Sequence, residues 1–242
     1  MLVIAALLAA LVWDGKDRNV LAGLALGIAL TKVIIAGPFL LPFIIKRRWK
    51  TLFFAGIYIV IASLLIWPMS KTNPLEMLLQ MCSTSVSFGS RGGHDLIVLF
   101  TQFGLPVAAA MILTALVSVA IFTPLLFLWR RADMLFQFGV TAVLSRIWTT
   151  HSHCDNLVLI FLMIALARQA FQTRNRWSIT GFALMGLSLW PPAKCCDVAA
   201  YVAFQFFAWI ACLTLLLTLQ PRNSPLGESQ APDPTILGQK SK

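Results

Sequence analysis

The chain has 242 residues, of which 59% are hydrophobic and 12% charged, with a formal net charge of +10. Average soluble domains carry roughly 25% charged residues, so this balance excludes an ordinary soluble domain and predicts an integral membrane protein. The positive balance does not call for nucleic acid as a partner, because Lys and Arg stand in short clusters between apolar runs, the pattern that sets membrane orientation.

Apolar runs fall at 1–13, 20–31, 33–45, 51–69, 104–129, 134–148, 157–171, 178–190 and 198–220. They predict an all-α, polytopic integral membrane protein of about nine transmembrane or short re-entrant helices. Met1–Val12 has no positive residue ahead of it, so it reads as a helix and not as a signal peptide. A run of 13 residues reaches about 20 Å, short of a hydrocarbon core of about 30 Å. Such runs must borrow flanking residues, sit in thinned bilayer, or lie against neighbouring helices around a cavity.

The segment Val20–Ile45 is either one long tilted helix or two short helices broken near Lys32, with Gly37 and Pro38 early in the second. Charge separates these readings. With a break at Lys32, fourteen of the nineteen cations fall on one side: Lys16, Arg18, Lys46, Arg47, Arg48, Lys50, Arg130, Arg131, Arg168, Arg174, Arg176, Arg222, Lys240 and Lys242. Lys32, Lys71, Arg91, Arg146 and Lys194 fall opposite. The positive-inside rule makes the first side cytoplasmic, with the carboxyl terminus inside and Met1 outside. A single helix would set Lys16 and Arg18 across the membrane from Lys46–Lys50, so the two-helix reading is preferred.

The remaining pieces follow from this topology. A long exterior loop runs from Ser70 to about Phe103 and includes SFGSRGGHD at Ser87–Asp95, with a short interfacial helix expected around Pro74–Met81. Residues 1–220 form the transmembrane helical domain. Residues 221–242 have too little apolar content to pack and are expected to be a disordered cytoplasmic tail.

Chemistry collects on the exterior side. His94, His151, His153, Asp95, Asp155, Asp197 and Glu76 all fall there, with four of the five cysteines. The polar stretch WTTHSHCDN, Trp148–Asn156, stands between two apolar runs and holds two of the three histidines. Exterior cations break the orientation rule and need a reason. Lys32, Arg91, Arg146 and Lys194 each lie near a helix end, where they either snorkel to the interface or hold a lipid-borne phosphate. Asp155 opens the run 157–171 and either caps a helix amino end or serves as a positioned carboxylate for a sugar hydroxyl. Asp95, beside His94 after Gly92 and Gly93, is a second carboxylate of that kind, or a solvated loop residue.

His151, His153, Cys154, Cys195 and Cys196 are residue types that bind zinc, but no CxxC pair or HExxH helix is present, and neither a metal nor another cofactor is expected. A disulfide between Cys154 and Cys195 or Cys196 is open in an oxidising compartment, with at least one of the five cysteines left over.

The run LAGLALGIALTK at Leu21–Lys32, followed by KRRWK at Lys46–Lys50, resembles the glycine-punctuated helix pair of GT-C glycosyltransferases, and most closely glycosyltransferase family 87, the polyprenyl-phosphate-mannose-dependent mannosyltransferases. WTTHSHCDN followed by LVLIFLMIALAR is similar to a later signature of that family, with Trp148, Thr149, His151, Asp155 and Leu157 matching. GFALMGLSLWPP at Gly181–Pro192 is similar to its later helices. Val33 follows Lys32 where relatives often have Pro, and Ser152, His153 and Cys154 stand where basic and aromatic residues are expected.

The resemblance spans Met1–Gln220 but only the carboxyl-terminal portion of a family member. The exterior loop expected to bear the family's catalytic carboxylate has no counterpart here, so no residue receives that role. The implied chain is a fragment, a shortened gene product, or a catalytically silent membrane partner. What the family implies is transfer of a hexose, mannose in the first place, from a polyprenyl-phosphate donor to a glycan or glycolipid acceptor on the exterior face of a bacterial plasma membrane. Asp155 and His151, with Asp95 and His94, would then shape the sugar or acceptor pocket, while Lys32, Arg91, Arg146 and Lys194 hold the donor phosphate. The rival reading is a transporter or flippase of a lipid-linked or anionic substrate, which calls for charged residues near the middle of several spans. This sequence gathers its polar residues at one face instead.

Overall fold

A computed structural model describes residues 1–70, 96–148, 153–189 and 198–219, and every described element is helical. The first two helices, α1 (Leu2–Asp14) and α2 (Asn19–Ala29), join through a tight turn in which Asp17 adopts a positive φ of 52°. Residues Gly23 and Gly27 lie one turn apart on α2, against α5 (Trp49–Ser70). A Cβ added at Gly23 would meet Phe54 Cβ at 2.5 Å and the Thr51 carbonyl at 2.6 Å; one at Gly27 would meet the Tyr58 ring at 2.6 Å. The two helices therefore approach closely because these positions have no side chain, which is how small residues join helices that gain nothing from the hydrophobic effect within lipid.

Beyond α2 the chain runs through a 3₁₀ turn (Leu30–Lys32), α3 (Val33–Ala36), a second 3₁₀ turn (Gly37–Phe39) and α4 (Leu40–Ile45). The break lies at Lys32, whose φ of −112° and ψ of 70° leave helical space. Pro38 and Pro42 then remove two backbone donors. Broken backbone among apolar helices needs partners from elsewhere, and the Ser145 hydroxyl donates to the Ile35 carbonyl at 2.8 Å.

The break sends the chain back to the end from which α2 started. Immediately after α4, Arg48 forms ion pairs with Asp14 and Asp17, at 3.4 Å each. The two-helix reading of Val20–Ile45 is therefore the one the structure takes, and Lys16, Arg18 and Lys46–Lys50 share one end of the bundle.

Next come α6 (Leu96–Gln102), α7 (Val107–Leu128) and α8 (Met134–Trp148). The expected loop through Phe103 is interrupted by α6, whose LIVLF run was too short to declare itself. A 3₁₀ stretch (His153–Leu159) leads into α9 (Ile160–Thr173), which Arg174 closes in the left-handed conformation at φ 50°. The last helices are α10 (Arg176–Leu189) and α11 (Val198–Leu219). The interfacial helix expected around Pro74–Met81 and the tail 221–242 lie outside the described residues.

Among the described residues, three segments are long and apolar enough to cross a membrane: Trp49–Pro68, Ala108–Leu128 and Asn156–Thr173. Leu2–Asp14, Asn19–Lys32 and Ala203–Leu219 are shorter apolar helices. The outer faces of α5 and α7 expose Phe53, Val60, Leu64 and Leu65, and Ile112, Leu116 and Ile121. Two long helices with such faces would be unstable in water and suit a lipid surround.

Inside, an aromatic cluster fixes the broken segment. Phe39 packs on Phe138 of α8 at 5.1 Å and on Phe161 of α9 at 5.3 Å between ring centres. Phe138 and Phe161 are themselves 5.3 Å apart, and Phe43 adds a fourth ring at 5.8 Å from Phe138. All four are fully buried. Edge and tilted ring contacts of this kind add about 0.5–1.5 kcal/mol per pair beyond area burial.

Candidate functional site at the cation-poor end

The bundle has two chemically different ends. At one end α1, α4, α7 and α9 finish and α2, α5, α8 and α10 begin, and it collects Asp14, Asp17, Arg48, Lys46 and the turn 129–133. There Lys46 Nζ donates to the Arg130 and Ala132 carbonyls, and Arg168 pairs with Asp133 at 2.6 Å. Burial holds the Lys46 ammonium below the usual lysine range, with Asp133 acting in the opposite direction. Among the described residues every Lys and Arg except Lys32 and Arg146 lies at or near this end. That is the sorting the charge argument anticipated.

The opposite end is built around Arg146, in the last turn of α8. It is half-buried. Its Nε donates to Asn156 Oδ1 at 2.6 Å, and its guanidinium lies 5.3 Å from the Trp209 ring centre. Asn156 belongs to the 3₁₀ stretch ahead of α9, whereas Trp209 comes from α11, so three elements converge on one cation. From Trp209 the contacts continue: its Nε1 donates to Ser188 Oγ at 3.2 Å, near the end of α10. Gln205 Nε2 and the Tyr201 hydroxyl both donate to the Ser188 carbonyl, at 2.8 and 3.1 Å, satisfying an acceptor freed by the helix end. The result is a chain of polar contacts joining α8, the 3₁₀ stretch ahead of α9, α10 and α11 at the end where the chain breaks at Lys32 after α2.

An arginine held in this way offers a planar cation with a set orientation, the arrangement that suits a phosphate or carboxylate. Asn156 holds the guanidinium through Nε, and the Trp209 ring lies within cation–π distance of its Cζ.

Of the residues singled out from sequence, Arg146 sits in this cluster. Lys32 is exposed, at the helix break. Asp155 and His153 lie on the 3₁₀ stretch His153–Leu159, one and three residues before Asn156. The amino-terminal cap of α9 is Leu159, which makes no side-chain capping bond. His151, His94, Asp95, Arg91 and Lys194 lie outside the described residues, as do the cysteines considered for a disulfide other than Cys154, about whose side chain nothing is described. Among the described residues no group of three His, Cys, Asp or Glu side chains is placed to hold a metal.

Sequence reasoning missed Asn156, Ser188, Tyr201, Gln205 and Trp209. The signal that was present is polarity at helix ends: Ser188 and Tyr201 flank the polar break between α10 and α11, as Asn156 flanks the one before α9.

Comparison with known proteins gives one family: the family model of glycosyltransferase family 87 matches residues 1–88. No curated protein and no solved structure matches. The matched residues take in α1 to α5, and so the Gly23 and Gly27 packing, the Lys32 break and KRRWK.

Proposed function

We propose, from the family 87 match over residues 1–88, that this chain acts as a membrane glycosyltransferase. The family implies a sugar donor and an acceptor at a membrane. That match is the single observation that carries the reading, since it covers the same helix pair on which the sequence resemblance rested.

The finer reading is transfer of a hexose, mannose in the first place, from a polyprenyl-phosphate donor to a glycan or glycolipid on the exterior face. The charge sorting supports the side: the cation-rich end faces the cytoplasm of a bacterial plasma membrane, with the carboxyl terminus, and the Arg146 end faces out. Arg146 and Lys32, with Arg91 and Lys194, hold the donor phosphate. Asp155 and His151, with Asp95 and His94, line the sugar or acceptor pocket. No residue is assigned as the catalytic carboxylate.

The test is transfer from radiolabelled polyprenyl-phosphate mannose in membranes that contain the chain, with Asp155→Asn and Arg146→Gln beside the wild type. Label should pass to an extractable glycan or glycolipid in the wild type and fall by about tenfold or more in each variant, as expected when a charged hydrogen-bonding partner is lost. Wild-type membranes that carry labelled donor across the bilayer without transferring it would replace the reading with a carrier.

A further inference from the structure

The cation-rich end does more than sort charge across the bilayer, because its turns are tied into one surface. Arg48 joins the turn after α4 to Asp14 and Asp17 of the first turn. Thr51 adds a hydroxyl bond to Asp14 at 3.2 Å. Lys46 joins the turn after α4 to the carbonyls of Arg130 and Ala132. Arg168 takes Asp133. The three acidic residues described at this end, Asp14, Asp17 and Asp133, are thus each engaged by an internal cation.

Six further cations stand exposed on the same turns: Lys16, Arg18, Arg47, Lys50, Arg130 and Arg131. None of them makes an ion pair among the described residues. Trp49, 60% exposed, lies among them. The surface therefore presents positive charge without local compensation, where the apolar outer faces of α5 and α7 give way to polar turns. That is the depth of lipid headgroups, and aromatic rings at such a level are ordinary membrane-interface anchors.

We propose that these tied turns form a docking surface for the headgroups of anionic phospholipids. Guanidinium and ammonium groups bind phosphodiesters by charge-assisted hydrogen bonds. Orientation alone would be served by the same charges on independent loops. The ion pairs between turns add a fixed array, which binds several headgroups at once and distinguishes a net-negative lipid from a zwitterionic one. The proposal does not depend on the chain being a transferase.

The experiment is native mass spectrometry of the detergent-purified full chain, titrated with phosphatidylglycerol or phosphatidylcholine. Wild-type protein should retain phosphatidylglycerol at about tenfold lower lipid concentration than phosphatidylcholine, a preference in line with several cations acting together. In Lys16→Gln/Arg18→Gln/Lys50→Gln/Arg131→Gln, four exposed positions, the two lipids should bind alike. A second measurement covers a variant that fails to purify: raising salt from about 0.1 to about 0.5 M should weaken the wild-type preference. Equal retention of both lipids by the wild type, or an unchanged preference in the variant, overturns the proposal, as does a preference indifferent to salt.

Discussion

Asn156 Oδ1 accepts a hydrogen bond from Arg146 Nε at 2.6 Å, joining the approach to α9 to the last turn of α8. Under the proposed function the bond sets the orientation of a phosphate-binding guanidinium. Asn156→Ala should raise KM for the polyprenyl-phosphate donor by about tenfold with a smaller change in kcat, because a hydrogen bond to a charged group contributes about 1.5–3 kcal/mol. Asn156→Asp keeps the acceptor but sets a negative charge against the guanidinium, so it competes with the donor phosphate and should leave KM raised. Steady-state kinetics in native membranes check both, and an unchanged KM in Asn156→Ala would remove Asn156 from the site.

Gly27 faces the Tyr58 ring with no room for a side chain, whereas a Cβ at Gly56 would meet nothing within 4 Å. Gly27→Val should therefore separate α2 from α5 and cost about 1–3 kcal/mol by overpacking. Gly56→Ala should be close to neutral. Thermal unfolding in detergent, followed by size-exclusion recovery, would separate the two.

Asp133 does two jobs at the start of α8: Oδ1 accepts the Phe136 backbone N–H at 2.7 Å, and Oδ2 pairs with Arg168 at 2.6 Å. The first is an amino-terminal cap, worth about 0.5–2 kcal/mol. Arg168 is 42% exposed, so its pair contributes less, about 0–1 kcal/mol. Asp133→Ala should consequently lower the thermal midpoint more than Arg168→Ala. Equal losses would assign the stabilisation to the ion pair instead of the cap.

Phe138 touches Phe39, Phe43 and Phe161 and is fully buried. Phe138→Ala should cost about 3–5 kcal/mol, because the vacated volume lies among rings that cannot all collapse into it. It should also loosen the segment Gly37–Ile45, read as faster proteolysis or cysteine labelling there. Phe138→Leu should recover most of the stability.

Sequence by itself determined where most of the helices lie. The run 134–148 became α8 at Met134–Trp148, the run 51–69 became α5 at Trp49–Ser70, and the break at Lys32 followed from charge alone. These are legible because burial in an apolar surround and the cost of placing Lys or Arg in lipid act on contiguous residues. The short helix Leu96–Gln102 was lost because five apolar residues in a row do not distinguish a helix from a loop.

Only the tertiary structure decided which side chains meet. Arg146 was singled out from sequence as an exterior cation at a helix end, but Asn156 and Trp209, its partners, lie ten and sixty-three positions along the chain on other elements. The apolar run 157–171 had suggested a helix from 157, whereas the 3₁₀ stretch His153–Leu159 sets the start of α9 at Ile160. Such contacts depend on how helices rotate and cross. Ring packing about Phe39 and close approach at Gly23 and Gly27 set those rotations, and no local pattern in the chain encodes them.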